Sequence, residues 1–174
     1  MRDWRICPRC ASGLRRGPVP GDDRDRLHCT ACGLVLYENP APTASAVVVR
    51  DGRVLLTRRG IEPRLGMWDM PGGFVEAGED PEAAVRRELL EETGIEIEIE
   101  DLLGIFPDRY GDGPPTLNIF YVARAVGGAG EPRSDVTELG WFEPDRLPDE
   151  LAFQSGESAL DAWQHWRAAQ SANL

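Results

Sequence analysis

Residues 73–95 read GFVEAGEDPEAAVRRELLEETGI, and the spacing of their glutamates decides how the rest of the chain is read. The pattern is G-x5-E-x7-R-E-U-x-E-E-x-G-U with U aliphatic, filled by Gly73, Glu79, Arg87, Glu88, Leu89, Glu91, Glu92, Gly94 and Ile95. Pro81 suits a first helical turn, where its missing N–H would be unpaired anyway. Asp80 before it can cap the helix, and Glu82 places negative charge at the positive end of the dipole. Gly94 supplies a stop, because glycine takes the left-handed conformation at a helix end. The stretch therefore predicts a helix over about 81–92. On it Glu88, Glu91 and Glu92 stand at i, i+3 and i+4, with Val85 and Leu89 on an adjacent buried stripe. Three neighbouring carboxylates repel, so a cation should compensate them. Hard ions such as Mg²⁺ take carboxylate and phosphate oxygens. Arg87 is placed to pair with Glu79 or Glu91 and hold the set in position.

Outward from that helix, the hydrophobic content is 41% and the net charge −11 over 174 residues, enough for one ordinary domain and a small appendage. The acidic balance argues against a nucleic-acid surface spread over the protein, and an anionic substrate would need metal ions between it and the glutamates. The sequence has no apolar run of membrane-spanning length and no charged-then-apolar leader, so a cytoplasmic protein with no membrane partner is expected.

All four cysteines lie near the N-terminus, as Cys7-Pro8-Arg9-Cys10 and Cys29-Thr30-Ala31-Cys32. Two C-x-x-C knuckles at this separation match a four-thiolate Zn²⁺ ribbon, a site that stabilises segments too small for a core. Two disulfides are the alternative, but nothing here suggests an oxidising compartment. His28 adjoins Cys29 and is read as a bystander. The segment between the knuckles, through Gly17–Asp23, reads as a polar hairpin.

Residues 37–42 (YENPAP) read as a linker stiffened by prolines. Thr43–Arg50 and Arg53–Arg58 form a predicted hairpin about Asp51-Gly52. Gly60–Met70 is expected to be a loop leading to Pro71-Gly72-Gly73, where glycine admits close approach. Ile95–Glu100 alternates as a half-buried strand, Leu102–Phe106 and Leu117–Ala125 suggest two more, and 107–115 between them reads as a flexible insertion. A polar loop, 127–137, precedes a last strand at Glu138–Phe142. Glu157–Ala169 has helical spacing, with Leu160, Trp163 and Trp166 toward the core.

The 73–95 pattern resembles the signature of the Nudix hydrolases, and the resemblance extends from about Ile6 to Trp163. It implies an α/β fold, an α/β/α sandwich with a mixed sheet, preceded by a small zinc ribbon. Residues 1–38 would be the ribbon and 39–174 the hydrolase domain. It further implies metal-dependent hydrolysis of the diphosphate of a nucleoside diphosphate linked to another moiety, with Mg²⁺ or Mn²⁺. Glu88, Glu91 and Glu92 would be metal ligands with the Gly73 backbone. Glu88 and Glu92 are first candidates for the general base, with Arg87 holding the set and Glu131, Asp135 and Glu138 as loop alternatives. Arg58, Arg59, Arg64, Arg109 and Tyr110 are candidates for substrate binding. The ribbon, the Tyr37–Pro40 junction and Leu151-Ala152-Phe153 resemble a subgroup that includes FAD and ADP-ribose pyrophosphatases. NADH pyrophosphatases also carry the ribbon, but residues 103–110 (LGIFPDRY) depart from their S-Q-P-W-P-F-P-x-S motif. The coenzyme A diphosphatase pattern is met only in part. A triphosphate-cleaving enzyme, and a non-catalytic nucleotide sensor whose ribbon (Arg2, Arg5, Arg9, Arg15, Arg16) contacts nucleic acid or protein, are the alternatives. A homodimer built through the ribbon is an assembly the sequence leaves open.

Overall fold

The computed structural model describes residues 4–172; Arg2 of the basic N-terminal set lies outside them. The chain divides into two compact units, Met1–Pro40 and Ala41–Leu174. In the first, β1 (Leu14–Gly17), β2 (Arg26–Cys29) and β3 (Val35–Leu36) form an antiparallel sheet in that order. The polar stretch 18–25 is the connection of the β1–β2 hairpin, and the two knuckles lie on either side of this sheet's first two strands.

The second unit begins with β4 (Ala41–Arg50) and β5 (Arg53–Arg59), antiparallel across Asp51-Gly52. Both turn residues have positive φ, 51° and 78°, as the tightest hairpin turn requires. Two short strands follow, β6 (Trp68–Asp69) beside β5 and β7 (Gly72–Phe74) beside β4. Helix α1 (Pro81–Thr93) leads into β8 (Glu96–Arg109), β9 (Pro115–Gly127), β10 (Val136–Phe142) and helix α2 (Gln154–Ala172). The main path of the sheet runs β10-β5-β4-β9-β8, and β4 and β9 are parallel while the other pairs are antiparallel.

The apolar run Ala46–Val49 in β4 is continuous because both faces of the sheet are covered. Ala44, Ala46 and Val48 pack with Ala84, Val85 and Leu89 of α1. Val47, one step out of phase, packs with Ala159, Leu160 and Trp163 of α2. One helix on each face of a mixed sheet is the α/β/α sandwich the sequence predicted.

Four expectations about the strands need correction. The two strands anticipated at 95–106 are one, β8, and register shifts at Ile99/Asp101 and Leu102/Gly104 absorb the break in alternation. The flexible insertion expected at 107–115 is narrower than that: Pro107, Asp108 and Arg109 are strand and pair with Leu117, Thr116 and Pro115, leaving 110–114 as the turn. Pro107 is tolerated because β8 lies at the edge of the sheet, and Pro115 because it opens β9. The expected loop at 60–70 contains β6, and Ala41-Pro42 of the expected linker begin β4.

Candidate active site

Helix α1 is fixed at both ends by the residues the pattern supplies. Asp80 accepts a hydrogen bond from the Glu82 N–H at 2.9 Å, and Gly94 (φ 65°) donates its own N–H to the Leu90 carbonyl. Along the helix the three glutamates diverge. Glu92 is 9% exposed, the Glu88 side chain 18% and the Glu91 side chain 57%. With about 100° per residue, Glu92 lies roughly 40° to one side of Glu88 and Glu91 roughly 60° to the other. Glu88 and Glu92 therefore turn toward the sheet, and Glu91 turns toward solvent and Arg87, 3.5 Å away.

Arg87 ties the preceding loop to the helix. Its Nε and Nη2 donate to the two oxygens of Glu79 at 2.8 and 2.9 Å, its Nη1 to Glu88 at 2.8 Å, and its Nη2 to the Phe74 carbonyl at 3.2 Å. This fork-to-fork geometry suits guanidinium alone among side chains. The hydrogen bonds from Arg87 hold the Glu79 carboxyl down at about 2. β7 brings Gly72 and Gly73 against the glutamates by pairing with Ser45 and Ala44 of β4. The Gly72 N–H donates to Glu92 Oε2 at 3.0 Å. Gly72 has φ 147°, and a Cβ there would fall 2.4 Å from the Ala44 carbonyl. At Gly73 a Cβ would fall 2.5 Å from the Glu88 carboxyl carbon. Gly72 is therefore confined to glycine by backbone, while a side chain at 73 would have to displace the Glu88 carboxylate.

Glu88 and Glu92 open into a cavity of about 380 Å³, with Asp69, Asp108 and Asp135 also on its walls. Burial pushes the Glu92 carboxyl well above its ordinary value; the Gly72 N–H opposes this, and the charges of Asp135, Glu88 and Asp69 reinforce it. Glu88 is also raised, by burial first, against the pull of Arg87. Burial raises Asp69 to about 6 despite its ion pair with Arg59 at 3.1 Å. Desolvated carboxylates gathered on the walls of one cavity form an all-oxygen donor set of the kind Mg²⁺ or Mn²⁺ takes. The oxygens of the three helix glutamates do not converge on one point as they stand. Among the described residues the only group of three or more such ligands drawn within 4.8 Å of one another is the four cysteines.

Of the other predicted residues, Asp135, Arg109 and Tyr110 line this cavity, and Arg64 lines an adjoining one of about 550 Å³ that shares Asp108, Arg109 and Phe153 with it. Glu131 pairs with Arg133, and Glu138 with Arg58, on exposed surface; none of Glu131, Glu138 and Arg58 lines either cavity. Arg59, the next residue of β5, faces the cavity instead. It donates to the Pro63 carbonyl, Asp69 and the Tyr110 hydroxyl, and its guanidinium lies 5.5 and 5.0 Å from the ring centres of Tyr110 and Phe153. Those two rings stack at 5.6 Å. The sequence reading missed Asp69, Asp108, Thr43 and Asn118. A polar residue inside an apolar strand run was the available signal for Thr43 and Asn118, and the two are hydrogen-bonded at 2.6 Å.

In the N-terminal unit the cysteines are free of disulfides, with Cys7 Sγ 3.6 Å from Cys32 Sγ and Cys10 Sγ 3.5 Å from Cys29 Sγ. A tetrahedron with metal–sulfur bonds of about 2.3 Å has sulfurs about 3.8 Å apart, so the spacing fits a closed four-thiolate site.

Comparison with known proteins places these features. The NUDIX domain pattern matches residues 39–163, and the pattern described as Nudix N-terminal, a zinc ribbon, matches 5–38. The chain belongs to the Nudix family and is a pyrophosphatase-type enzyme of it. It is 35% identical over 134 residues to an ADP-ribose pyrophosphatase of Methanocaldococcus jannaschii, covering 76% of this chain and 78% of the relative. It is 37% identical over 145 residues to the NAD-capped RNA hydrolase NudC of Chromobacterium violaceum, covering 83% of this chain but 52% of that protein, about half its length. A crystal structure of a NUDIX hydrolase from Nitrosomonas europaea superposes with a TM-score of 0.78 at 25% identity, over 90% of this chain and 88% of that one.

Proposed function

We propose that the protein hydrolyses the diphosphate of a nucleoside diphosphate joined to a second moiety, with ADP-ribose or a related dinucleotide such as FAD as substrate, and releases a mononucleotide. The observation that carries the reading is Glu92: a carboxyl 9% exposed, held by one N–H from Gly72, with Glu88, Asp69 and Asp135 raising its proton affinity. Such a group is costly to keep unless a cation or a proton joins it. In the proposal Glu88 and Glu92, with Glu91 after rotation away from Arg87 and the Gly73 carbonyl, hold Mg²⁺ or Mn²⁺. The ion would activate water and neutralise charge on the diphosphate. Glu92 Oε1, the oxygen not engaged by Gly72, takes the proton of the attacking water; its raised affinity suits a base working near neutral pH. Asp135 faces the same cavity and is the alternative acceptor. Arg87 keeps Glu88 in place, and Arg59 and Arg109 supply the positive charge for phosphate oxygens. Residues 1–38 serve as a structural Zn²⁺ ribbon and 39–174 as the hydrolase.

Among relatives the ADP-ribose pyrophosphatase supports the substrate class. The NAD-capped RNA hydrolases point to NAD-like dinucleotides, although residues 103–110 lack the S-Q-P-W-P-F-P-x-S run. The test is a product assay over ADP-ribose, FAD, NADH, dinucleoside polyphosphates, coenzyme A and nucleoside triphosphates with Mg²⁺ and with Mn²⁺. Mononucleotide release from ADP-ribose or FAD is expected. Cleavage of triphosphates alone, or of nothing in the panel, would overturn the reading.

A further inference from the structure

The cavity has two chemically different ends. Glu88, Glu92 and the Gly72-Gly73 backbone form one. The other is built where β8, β9 and the start of α2 meet. Asp108 of β8 lies opposite Thr116 of β9, so their side chains share a face. Asp108 Oδ2 accepts the Ser155 N–H at 2.7 Å and Oδ1 accepts the Arg109 N–H at 2.7 Å. Each oxygen keeps a lone pair for another donor. Ser155 is 5% exposed, lines the cavity, and its hydroxyl has no hydrogen-bond partner among the described residues. Thr116 Oγ1 accepts from Asn118 Nδ2 at 3.1 Å, while the other Asn118 Nδ2 hydrogen bond goes to the Phe106 carbonyl and Thr43 donates to Asn118 Oδ1. That network fixes the direction of each bond and leaves the Thr116 hydroxyl hydrogen free to donate.

This end therefore offers a carboxylate that accepts, a serine hydroxyl open to the cavity that does either, and a threonine that donates. Asp108 already occupies the positive end of α2 with its own charge, which disfavours a phosphate there. Two adjacent neutral hydroxyls, each needing an acceptor and a donor, match the set. β7, β4, β9 and β8 separate the ends by three strand spacings, roughly 14 Å along the sheet, and side chains from both ends shorten that gap. The stacked Tyr110–Phe153 pair supplies an apolar wall beside the polar groups.

From this arrangement we infer that Asp108, Ser155 and Thr116 form a subsite for the vicinal diol of a ribosyl group attached to the diphosphate. The inference rests on the diphosphatase reading above and names what the substrate must carry beyond its diphosphate. It makes Asp108 and Ser155 specificity-determining residues.

The experiment compares ADP-ribose with the methyl ester of 2′,3′-dideoxyadenosine 5′-diphosphate, which has the same cleavable linkage and no diol. Wild type, Asp108→Asn and Ser155→Ala are assayed as full chains. Asparagine keeps an oxygen for the Ser155 N–H, and Ser155→Ala removes only a hydroxyl, so thermal melts that match wild type confirm folding in at least one variant. Wild type should prefer ADP-ribose by about tenfold or more in kcat/KM, the scale of a hydrogen bond to a charged group. In either variant that preference should collapse, through KM and not kcat. An equal preference in wild type and both variants, or no preference in wild type, overturns the subsite. Calorimetric titration of ADP-ribose and of the ester, with Ca²⁺ as the only divalent ion, reads the same preference as affinity. If neither compound is cleaved but ADP-ribose alone binds, and binds less well to the variants, the diphosphatase reading fails and the subsite stands.

Discussion

Replacing Glu92 by glutamine changes one atom in a carboxyl whose surroundings, apart from the Gly72 N–H, resist its charge. Glutamine can still accept the Gly72 N–H, which lies 3.0 Å from Glu92 Oε2, so the local geometry has no reason to collapse. What disappears is a buried negative charge beside Glu88, Asp69 and Asp135. A buried charged group left short of partners costs about 1–3 kcal/mol or more. In metal-free buffer at pH 7.5 the variant should therefore be more stable than wild type by about 2 kcal/mol, or roughly 4–8 °C in Tm for a chain of this size. The size of this advantage depends on pH. Glu92 has a folded-state affinity for protons above its unfolded value, so wild type is fully stable only below the unfolded value and loses stability as pH rises through the folded one. The advantage of Glu92→Gln should shrink toward zero at pH 4.5 and grow as pH rises above it. Saturating Mg²⁺ should reverse the order: an ion at 100 times its Kd adds about 2.7 kcal/mol to wild type, and the variant should gain little. Turnover should fall by orders of magnitude. Differential scanning calorimetry at three pH values, with EDTA and with Mg²⁺, measures all of this. A variant less stable than wild type in EDTA, or one that gains as much from Mg²⁺, would refute the assignment of Glu92 as a charge kept for a cation.

Gly73→Ala places a Cβ within 2.5 Å of the Glu88 carboxyl, so steady-state kinetics should show at least a tenfold loss of kcat while circular dichroism stays unchanged. Wild type should contain one zinc per chain by elemental analysis, and Cys7→Ser should lose it and expose residues 5–38 to trypsin. Burial raises Asp69 to about 6, and such an acid supports folding below its unfolded value, near 4, and loses that contribution as pH rises toward 6. Metal-free Asp69→Asn should therefore show a flatter Tm profile than wild type between pH 4 and 6, by up to about 3 kcal/mol, followed by thermal melts across that range.

How far the sequence could be read depended on what each residue's signal was about. Helix α1 was legible to within a residue of its end because Asp80, Pro81 and Gly94 act locally, through capping bonds and backbone preference. The two-sided burial of β4 was legible in Ala46, Val47, Val48 and Val49, four apolar residues in a row. The extent of β8 was not, since its bulges and its pairing through Pro107 and Arg109 depend on β9, a partner beyond the turn at 110–114. Adjacent arginines illustrate the same limit. Arg58 and Arg59 differ only in which side of β5 they leave, and one faces Glu138 while the other faces the cavity. Glu91 stands in the pattern as firmly as Glu88 and Glu92, yet the helix turn sends it to solvent. Asp108 was hidden because it lay in a stretch read as insertion, where an acidic residue carries no signal until Ser155 and Thr116 are brought beside it.

The central claim is that the protein cuts a diphosphate, and product stoichiometry in labelled water tests it most directly. ADP-ribose incubated with the protein and Mg²⁺ in H₂¹⁸O should yield AMP and ribose 5-phosphate in equal amounts, with one ¹⁸O per turnover in one of the two phosphates. ADP-ribose left intact at high protein concentration with either Mg²⁺ or Mn²⁺, or products carrying no label, would contradict the account.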